Sequence, residues 1–170
     1  SKGCHRTKRV TFLGQFGNDS AAIMLRQTLE QNNVEISSCG TCEASSGRGY
    51  VFLQQSTGKV SAVVSSGSNE VGWSAAEDML GDEKLDELIA CRTVVLLQRE
   101  IPEFVNELIA VACHRNNRED MHRPIVLQDI GGEDRSISKQ MMSLCDYIIP
   151  NQSELTRLMK LFDLPQEEKS

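Results

Sequence analysis

Three stretches in the second half of the chain decide the fold: TVVLLQREIP (93–102), PIVLQDI (124–130) and CDYIIPNQSEL (145–155). Each contains a short, almost wholly apolar run that ends in polar residues, which is typical of a strand buried on both faces. Strands that alternate with helices predict a mainly parallel, Rossmann-like sheet covered by helices on both faces, so we assign the chain to the α/β class. Apolar residues at helical spacing predict the intervening helices over 102–114, 136–144 and onward from 151.

The first part of the chain predicts one further strand and helix of the same kind. Residues 8–14 form an apolar run that ends in glycine, and the helix after it begins at a capping residue within 18–20. Asn32-Asn33 ends this helix. Residues 34–47 are rich in Ser, Gly and Cys and are predicted to be loop.

A β-hairpin interrupts the alternation of strands and helices. Two strand-like runs, 50–54 and 59–64, flank Ser56-Thr57-Gly58, a sequence that favours a tight turn. We therefore predict a single, partial α/β domain over residues 1–170, with a hairpin inserted at 45–67.

Composition excludes several classes of function. The chain has 170 residues, 39% of them hydrophobic and 25% charged, which suits one globular domain with a core. Its apolar runs are far shorter than the roughly 20 residues that a membrane span needs, so a membrane is not expected as a partner. A net charge of -6 disfavours a nucleic-acid partner, because phosphate backbones are bound by concentrated basic surfaces. Six cysteines are too few for a disulfide-dense secreted scaffold and indicate a reducing, cytoplasmic setting.

Polar side chains follow three of the predicted strands at the point where each strand ends. Glu100 follows the first, Asp129 the second, and Asn151 and Glu154 the third. Because the carboxyl ends of parallel strands meet at one edge of a sheet, we expect these side chains to lie along a common edge. Carboxylates and amides beside helix N-termini suit phosphates, hydroxyls and a hard cation.

Each of these residues also has a purely structural interpretation. Asn151 and Glu154 have the spacing of a capping box, in which the two side chains satisfy the free amides at the start of a helix. Glu100 precedes Pro102 and is also explained as a surface acid favoured by a helix dipole. Pattern alone leaves both interpretations open.

Other chemical motifs are weak or missing. Cys39-Gly40-Thr41-Cys42 has the spacing of a redox dithiol or of half a zinc site, but no second such pair exists and it does not open a helix after a strand. The nucleophile elbow G-x-S-x-G, the P-loop and the dinucleotide motif G-x-G-x-x-G are all absent. Triad, P-loop and dinucleotide chemistry are therefore disfavoured.

Four segments together resemble the ribokinase-type (PfkB) carbohydrate kinases. CDYIIPNQSEL is close to the family's D-x-x-x-P-N-x-x-E, and TVVLLQREIP matches its LLQ-x-E-x-P strand end. VTFLGQFGNDSAAIMLRQTLEQNNVEIS (10–37) is similar to its V-x-x-x-G-x-x-G-x-D strand and helix. SSGRGYVFLQQSTGKVSAVVSSGSN (45–69) is similar to its lid hairpin and the G-A-N that follows. The segments occur in family order over nearly the whole chain.

The resemblance implies ATP-dependent transfer of a phosphoryl group to a sugar hydroxyl, as in the members that convert D-ribose to ribose 5-phosphate. ATP and Mg²⁺ would be the cofactors, and a monovalent cation would join them in full-length members. Asn151 would lie near the ATP phosphates, and Glu154 and Asp129 near Mg²⁺. Asn151 and Glu154 would then both cap the helix and contact the phosphates and metal.

The resemblance also implies a sugar site. Glu100 would accept hydrogen bonds from the sugar, and Gly49 would present lid backbone to it. Lys2 and Gly3 lie in Ser1-Lys2-Gly3-Cys4, which is similar to the sugar-binding G-G-K-G-x-N. The Asn and the helix of that motif are missing, so we expect a missing segment between Cys4 and His5. Unpaired strand edges of the lid suggest a homodimer.

Two departures from the family limit the assignment. The late G-A-G-D motif, which would supply the catalytic base, is not in the sequence, so no catalytic residue is assigned and the chain alone is expected to be inactive. The C-terminal nucleotide-binding half is likewise expected to be absent. The alternatives are a kinase of the same fold for fructose, a hexose phosphate or a nucleoside, and a non-catalytic binding or dimerisation module.

Overall fold

The computed structural model describes residues 10–73, 80–90, 92–116, 122–131 and 135–162. The chain forms two compact units, an N-terminal unit over His5–Gly81 and a C-terminal unit that contains Asp82–Ser170.

The N-terminal unit is built from short strands around one helix. Its elements are β1 (Val10–Thr11), β2 (Gln15–Phe16), α1 (Ser20–Gln31), β3 (Val34–Glu35), β4 (Gly40–Thr41), β5 (Arg48–Leu53), β6 (Val60–Ser65) and a 3-10 turn (Gly67–Asn69). β1 pairs with β3 and β2 with β4, both in parallel. As predicted, α1 begins within 18–20, with Asp19 as its N-cap, and ends at Asn32.

Two predictions for this unit are wrong in detail. Within the strand predicted over 8–14, the described residues form only β1, and a second short strand, β2, follows at Gln15–Phe16; the two strands pair with different partners. Those partners, β3 and β4, lie in 34–47, which was predicted to be loop. Gly, Ser and Cys have little intrinsic preference for strands, so here the pairing comes from tertiary context that composition does not reveal.

The hairpin forms as predicted. β5 and β6 are antiparallel, from the pair Arg48–Ser65 to the pair Leu53–Val60, and Gly58 adopts a φ of 68° in the turn. Every residue of both strands is exposed. An isolated hairpin of this kind has little stability of its own, because neither face is covered.

The C-terminal unit contains the predicted parallel sheet. Its elements are α2 (Asp82–Ile89), β7 (Val94–Leu97), α3 (Glu103–Arg115), β8 (Ile125–Asp129), α4 (Lys139–Leu144), β9 (Tyr147–Ile149) and α5 (Gln152–Leu161). The strand order is β7-β8-β9, with every pair parallel. The mainly parallel α/β class is thus confirmed, and all three strands end at the same edge.

One face of this sheet packs against helices. Val126 and Gln128 are fully buried beneath α3, and Val105 of α3 and Met141 of α4 complete the core. Burial of these apolar side chains supplies the main favourable free energy of the unit.

On the opposite face, five large apolar side chains are between 41% and 61% exposed, with no helix packed over them among the described residues of the unit. They are Val94, Leu96, Ile125, Tyr147 and Ile149. An apolar strand shows that a face needs cover, but it does not show which residues supply that cover.

No helix in the described part of the chain is long and apolar enough to span a bilayer. The four cysteines of this part, Cys39, Cys42, Cys113 and Cys145, are all free thiols.

Candidate functional site

The predicted polar edge exists in the C-terminal unit. Glu100 lies in the loop after β7, Asp129 is the last residue of β8, and Asn151 stands between β9 and α5. The register pairs Leu97 with Gln128 and Asp129 with Ile149, so the three polar positions follow one another across the edge. The parallel topology therefore brings together the residues that the sequence suggested.

Asn151 and Glu154 form a capping box at the start of α5. The Asn151 Oδ1 accepts from the Glu154 backbone N–H at 3.0 Å, and the Asn151 backbone N–H donates to Glu154 Oε2 at 2.7 Å. The Asn151 Nδ2 also donates to Glu154 Oε1 at 2.5 Å, and Glu154 is only 7% exposed. The structural interpretation of this motif is therefore present. Each carboxylate oxygen retains a lone pair for a further partner.

Asp129 is held in place by two donors. Gln98 Nε2 donates to its Oδ2 at 3.3 Å, and the Gly131 backbone N–H donates to its Oδ1 at 3.0 Å. The carboxylate is half-buried. Two donors on one carboxylate fix its orientation at the strand end, as a ligand group requires.

Glu100 differs from its neighbours on the edge. Its side chain is half-buried, yet its carboxylate has no hydrogen bond or ion pair with any described residue. A carboxylate that is partly removed from water without a partner is costly unless another group satisfies it. Hydroxyl donors of a bound ligand would meet this need.

The carboxylates of the edge offer part of the oxygen coordination that a magnesium ion needs. Mg²⁺ prefers oxygen ligands and usually takes one or two carboxylates together with water and substrate phosphates. Asp129 and Glu154 follow neighbouring strands of this edge, and no group of three or more His, Cys, Asp or Glu side chains forms a metal site among the described residues. The donor set thus suits a metal that is completed by phosphates and not a closed protein site.

Gly49 lies in β5 of the N-terminal unit, opposite Val64. A Cβ added at this position would meet no atom within 4 Å, and the backbone does not have a positive φ. Nothing in the described structure therefore requires glycine here. Lys2, Gly3 and the Cys4–His5 junction lie outside the described residues.

The C-x-x-C pair shows no sign of redox or zinc chemistry in the described residues. Cys39 Sγ donates to the Phe12 carbonyl at 3.1 Å, and burial raises the pKa of the Cys39 thiol. A raised pKa disfavours the thiolate, which is the reactive form.

The sequence did not reveal how the base of the hairpin is anchored. Asp19 caps α1 through the Ala22 N–H at 3.0 Å, and it also accepts from the Ser46 hydroxyl at 2.7 Å and the Ser46 N–H at 3.0 Å. The Ser46 hydroxyl is the main cause of the lowered pKa of Asp19. Asp19 was one of three candidate caps within 18–20, but its second partner, Ser46, lies in the stretch 34–47 that was predicted to be loop.

In open α/β sheets, ligands bind beyond the carboxyl ends of the strands, and this unit has its carboxylates and a capped helix at that edge. Residues 4–170 match the pfkB family of carbohydrate kinases. The chain belongs to this family.

Relatives and solved structures agree with the family. A ribokinase of Arabidopsis thaliana is 28% identical over 149 residues, which cover 86% of this chain and 37% of that protein. A ribokinase of Giardia lamblia superposes with a TM-score of 0.71 at 17% identity, over 88% of this chain and 44% of that one. A ribokinase of Cryptococcus neoformans in complex with ADP gives a TM-score of 0.68 at 17% identity, over 94% and 47%. This chain therefore spans less than half the length of these proteins.

Proposed function

We propose that the protein is an ATP-dependent sugar kinase that transfers a phosphoryl group to D-ribose to give ribose 5-phosphate. Family membership and the ribokinase relatives support this proposal. The observation on which it depends most is that Glu100, Asp129 and the Asn151–Glu154 capping box share one edge of a parallel sheet. Phosphoryl transfer needs mainly positioning and neutralisation of charge, which such an edge can provide.

Glu100 is the proposed sugar ligand of the edge. Its carboxylate accepts hydrogen bonds but donates none, and sugar hydroxyls are donors. A half-buried acceptor that has no partner among the described residues would gain more from such donors than an exposed one, because it has already lost part of its hydration. This carboxylate would therefore fix the orientation of the sugar.

Asn151, Glu154 and Asp129 are the proposed phosphate and metal end of the edge. Asn151 would lie beside the ATP phosphates at the N-terminus of α5, where the helix dipole favours negative charge. When bound, Mg²⁺ would neutralise phosphate charge. Because both Glu154 oxygens already accept from Asn151, Glu154 would act through its remaining lone pairs. Asp129, whose carboxylate is oriented by Gln98 and Gly131, would likewise bind Mg²⁺ through its remaining lone pairs.

The hairpin is the proposed lid. The strand register places Gly49 on an entirely small or aliphatic face, and the side chains on that face are all exposed. That face consists of Gly49, Val51, Leu53, Val60, Ala62 and Val64. The family resemblance implies that such a lid excludes water from the reaction, and an apolar face suits that role. Lys2 and Gly3 remain proposed sugar ligands from the resemblance alone.

The other face and the free edges of the hairpin are the proposed dimer contact. Tyr50, Phe52 and Val63 are 54%, 58% and 60% exposed. Exposed apolar strands with unpaired edges favour association with another copy.

Sedimentation equilibrium should show a dimer, and Phe52→Lys should shift the equilibrium from dimer towards monomer. A wild-type protein that is monomeric at micromolar concentration would contradict this part of the proposal.

Steady-state kinetics with ATP, Mg²⁺ and a panel of acceptors test the proposed function in the protein that contains this sequence. We expect turnover with D-ribose in preference to fructose, a hexose phosphate or a nucleoside. Glu100→Gln should raise the KM for the sugar about tenfold or more and change the KM for ATP little, because one charged hydrogen-bond acceptor is lost. Glu87→Gln, an exposed acid of α2, is the matched control.

A test of the proposed phosphate and metal ligands needs a variant in which α5 stays capped. Glu154→Ala would remove the capping box and cost about 0.5–2 kcal/mol of stability, which would confuse the result. Glu154→Gln keeps a side chain that can complete the box but removes the charge. It should raise the Mg²⁺ concentration needed for half-maximal rate by about tenfold while unfolding like wild type. Unchanged kinetics in both Glu100→Gln and Glu154→Gln would refute the assignment of the edge.

A further inference from the structure

The loop between β7 and α3 carries Glu100, and its backbone is held on both sides of that residue. Arg135 Nη2 donates to the Arg99 carbonyl at 2.6 Å and to the Ile101 carbonyl. One terminal NH₂ group therefore bridges the two carbonyls that flank Glu100. Hydrogen bonds from a guanidinium are roughly twice as strong as those between neutral groups, so this bridge restrains the backbone on either side of Glu100.

Two further contacts hold the same loop. Asn106 of α3 is only 2% exposed, and its Nδ2 donates to the Gln98 carbonyl at 2.6 Å. Arg99 is 4% exposed and donates to the Arg135 carbonyl at 2.5 Å, so the loop and the segment of Arg135 bind each other in both directions. The carbonyls of three loop residues therefore each accept a hydrogen bond from a side chain.

The segment that contains Arg135 is itself anchored to α3. The Ser138 N–H donates to Glu103 Oε1 at 3.1 Å, and the Ser138 hydroxyl donates to Glu107 Oε1 at 3.0 Å. Both acids belong to the helix that follows the loop. The Arg135 guanidinium therefore holds the loop from a segment that is bound to the same helix.

The side chain of Glu100 depends on this restrained backbone for its position. Its half-buried carboxylate has no hydrogen bond or ion pair with any described residue, so none of them fixes it directly. A ligand group in a functional site must nevertheless be held to within about 0.5 Å, and residues that do not touch the substrate usually do this. The backbone contacts of the loop are the means that the described structure offers.

We propose that Arg135 is a positioning residue for the sugar, which acts through the loop on Glu100 and does not contact the substrate itself. This inference rests on the proposed function, because only there is Glu100 a sugar ligand. It deepens that function by naming the group that keeps this ligand in place when no sugar is bound.

Steady-state kinetics with ATP, Mg²⁺ and D-ribose, in the protein that contains this sequence, test the positioning role. Arg135 is exposed, so Arg135→Met should fold normally and melt close to the wild-type temperature. It should raise the KM for the sugar about fivefold or more and change the KM for ATP less than about twofold, because only the sugar ligand is displaced. Arg135→Lys keeps the charge and N–H donors, so its effect should be smaller.

The matched control is Lys139→Met, which removes an exposed positive charge from the first residue of α4. Lys139 donates to none of the loop carbonyls described above, so both KM values should stay at the wild-type level. A rise in the sugar KM for this control as large as that for Arg135→Met would show that the loss of positive charge, and not the bridge, is responsible, and would overturn the inference.

Two measurements separate positioning of Glu100 from a general structural effect. If Arg135 acts through Glu100, the rise in the sugar KM for the double variant Glu100→Gln, Arg135→Met should be well below the product of the two single rises. NMR relaxation of the unliganded protein should give an order parameter of about 0.85 for the Glu100 amide in wild type and below about 0.6 in Arg135→Met.

The outcomes distinguish failure of this inference from failure of the proposed function. A sugar KM that Glu100→Gln raises and neither Arg135 variant raises would overturn the positioning role and leave the kinase proposal intact. Single rises that multiply in the double variant, or a Glu100 amide that stays rigid in Arg135→Met, would also overturn it. If Glu100→Gln itself leaves the sugar KM unchanged, the sugar assignment of the proposed function fails and the positioning role fails with it.

Discussion

At the scale of single residues, the Asn151–Glu154 pair shows how one motif can have two roles. Its hydrogen bonds are those of a helix cap, and they also hold a carboxylate and an amide at the sheet edge. The spacing N-x-x-E predicts the cap directly. No spacing rule predicts that Glu100, on the same edge, has no hydrogen bond or ion pair within the described part of the chain, because that depends on which donors the surrounding loops bring close to it.

Asp146 provides a residue-scale prediction at the opposite edge of the same sheet. Arg123 donates to both its oxygens, at 2.7 and 2.6 Å, and the Val126 N–H donates at 2.8 Å. The Arg123 hydrogen bonds are the main reason why the pKa of Asp146 falls to about 2. The ionised carboxylate therefore stabilises the fold above its unfolded pKa of about 3.9, and this stabilisation is lost as the pH falls towards 2.

Urea unfolding at several pH values checks this prediction. Asp146→Asn should be less stable than wild type at pH 7, and the difference between the two should shrink steadily from about pH 5 to pH 2. The exposed Glu87→Gln serves as the control and should show a much smaller difference. A stability difference for Asp146→Asn that does not change with pH would show that the carboxylate charge is not what Arg123 stabilises.

At the scale of elements, the contacts that hold the hairpin in place lie at its base, because both of its strands are exposed. Ser46 bonds to Asp19, Ser68 N–H donates to the Ser45 carbonyl at 2.8 Å, and Gly67 has a φ of 52°. A Cβ on Gly67 would stand 2.4 Å from the Ser45 carbonyl oxygen. The turn sequence predicted the hairpin itself, but the anchoring contacts are long-range and left no local signal.

Two glycine substitutions, one at the base of the hairpin and one in a strand, test whether the base contributes more to stability than the strands do. Gly67→Ala combines a positive φ with a backbone clash and should destabilise the N-terminal unit by about 1–3 kcal/mol. Gly49→Ala meets open space and should change stability by less than about 0.5 kcal/mol. Fluorescence of Trp73, which is 3% exposed and donates to the Asn69 carbonyl at 2.7 Å, reports unfolding of this unit. Equal stability of the two variants would contradict the account of the hairpin base.

At the scale of the whole molecule, alternation and apolar runs were enough to predict the class and the second half of the chain. β7, β8 and β9 and their helices lie close to where the sequence places them, because each has a strong local pattern. The cover of the sheet was not predictable: Leu96 and Tyr147 are each 61% exposed although their strands are apolar.

Paramagnetic relaxation by Mn²⁺-ATP tests most directly whether the carboxyl edge is the nucleotide and metal end of the site. Mn²⁺ accepts the same oxygen ligands as Mg²⁺ and broadens the NMR signals of nearby amides. We predict strong broadening at Gly131 and Glu154, with the Asp146 amide at the opposite edge little affected. Broadening centred on Asp146, with Gly131 and Glu154 spared, would contradict the account.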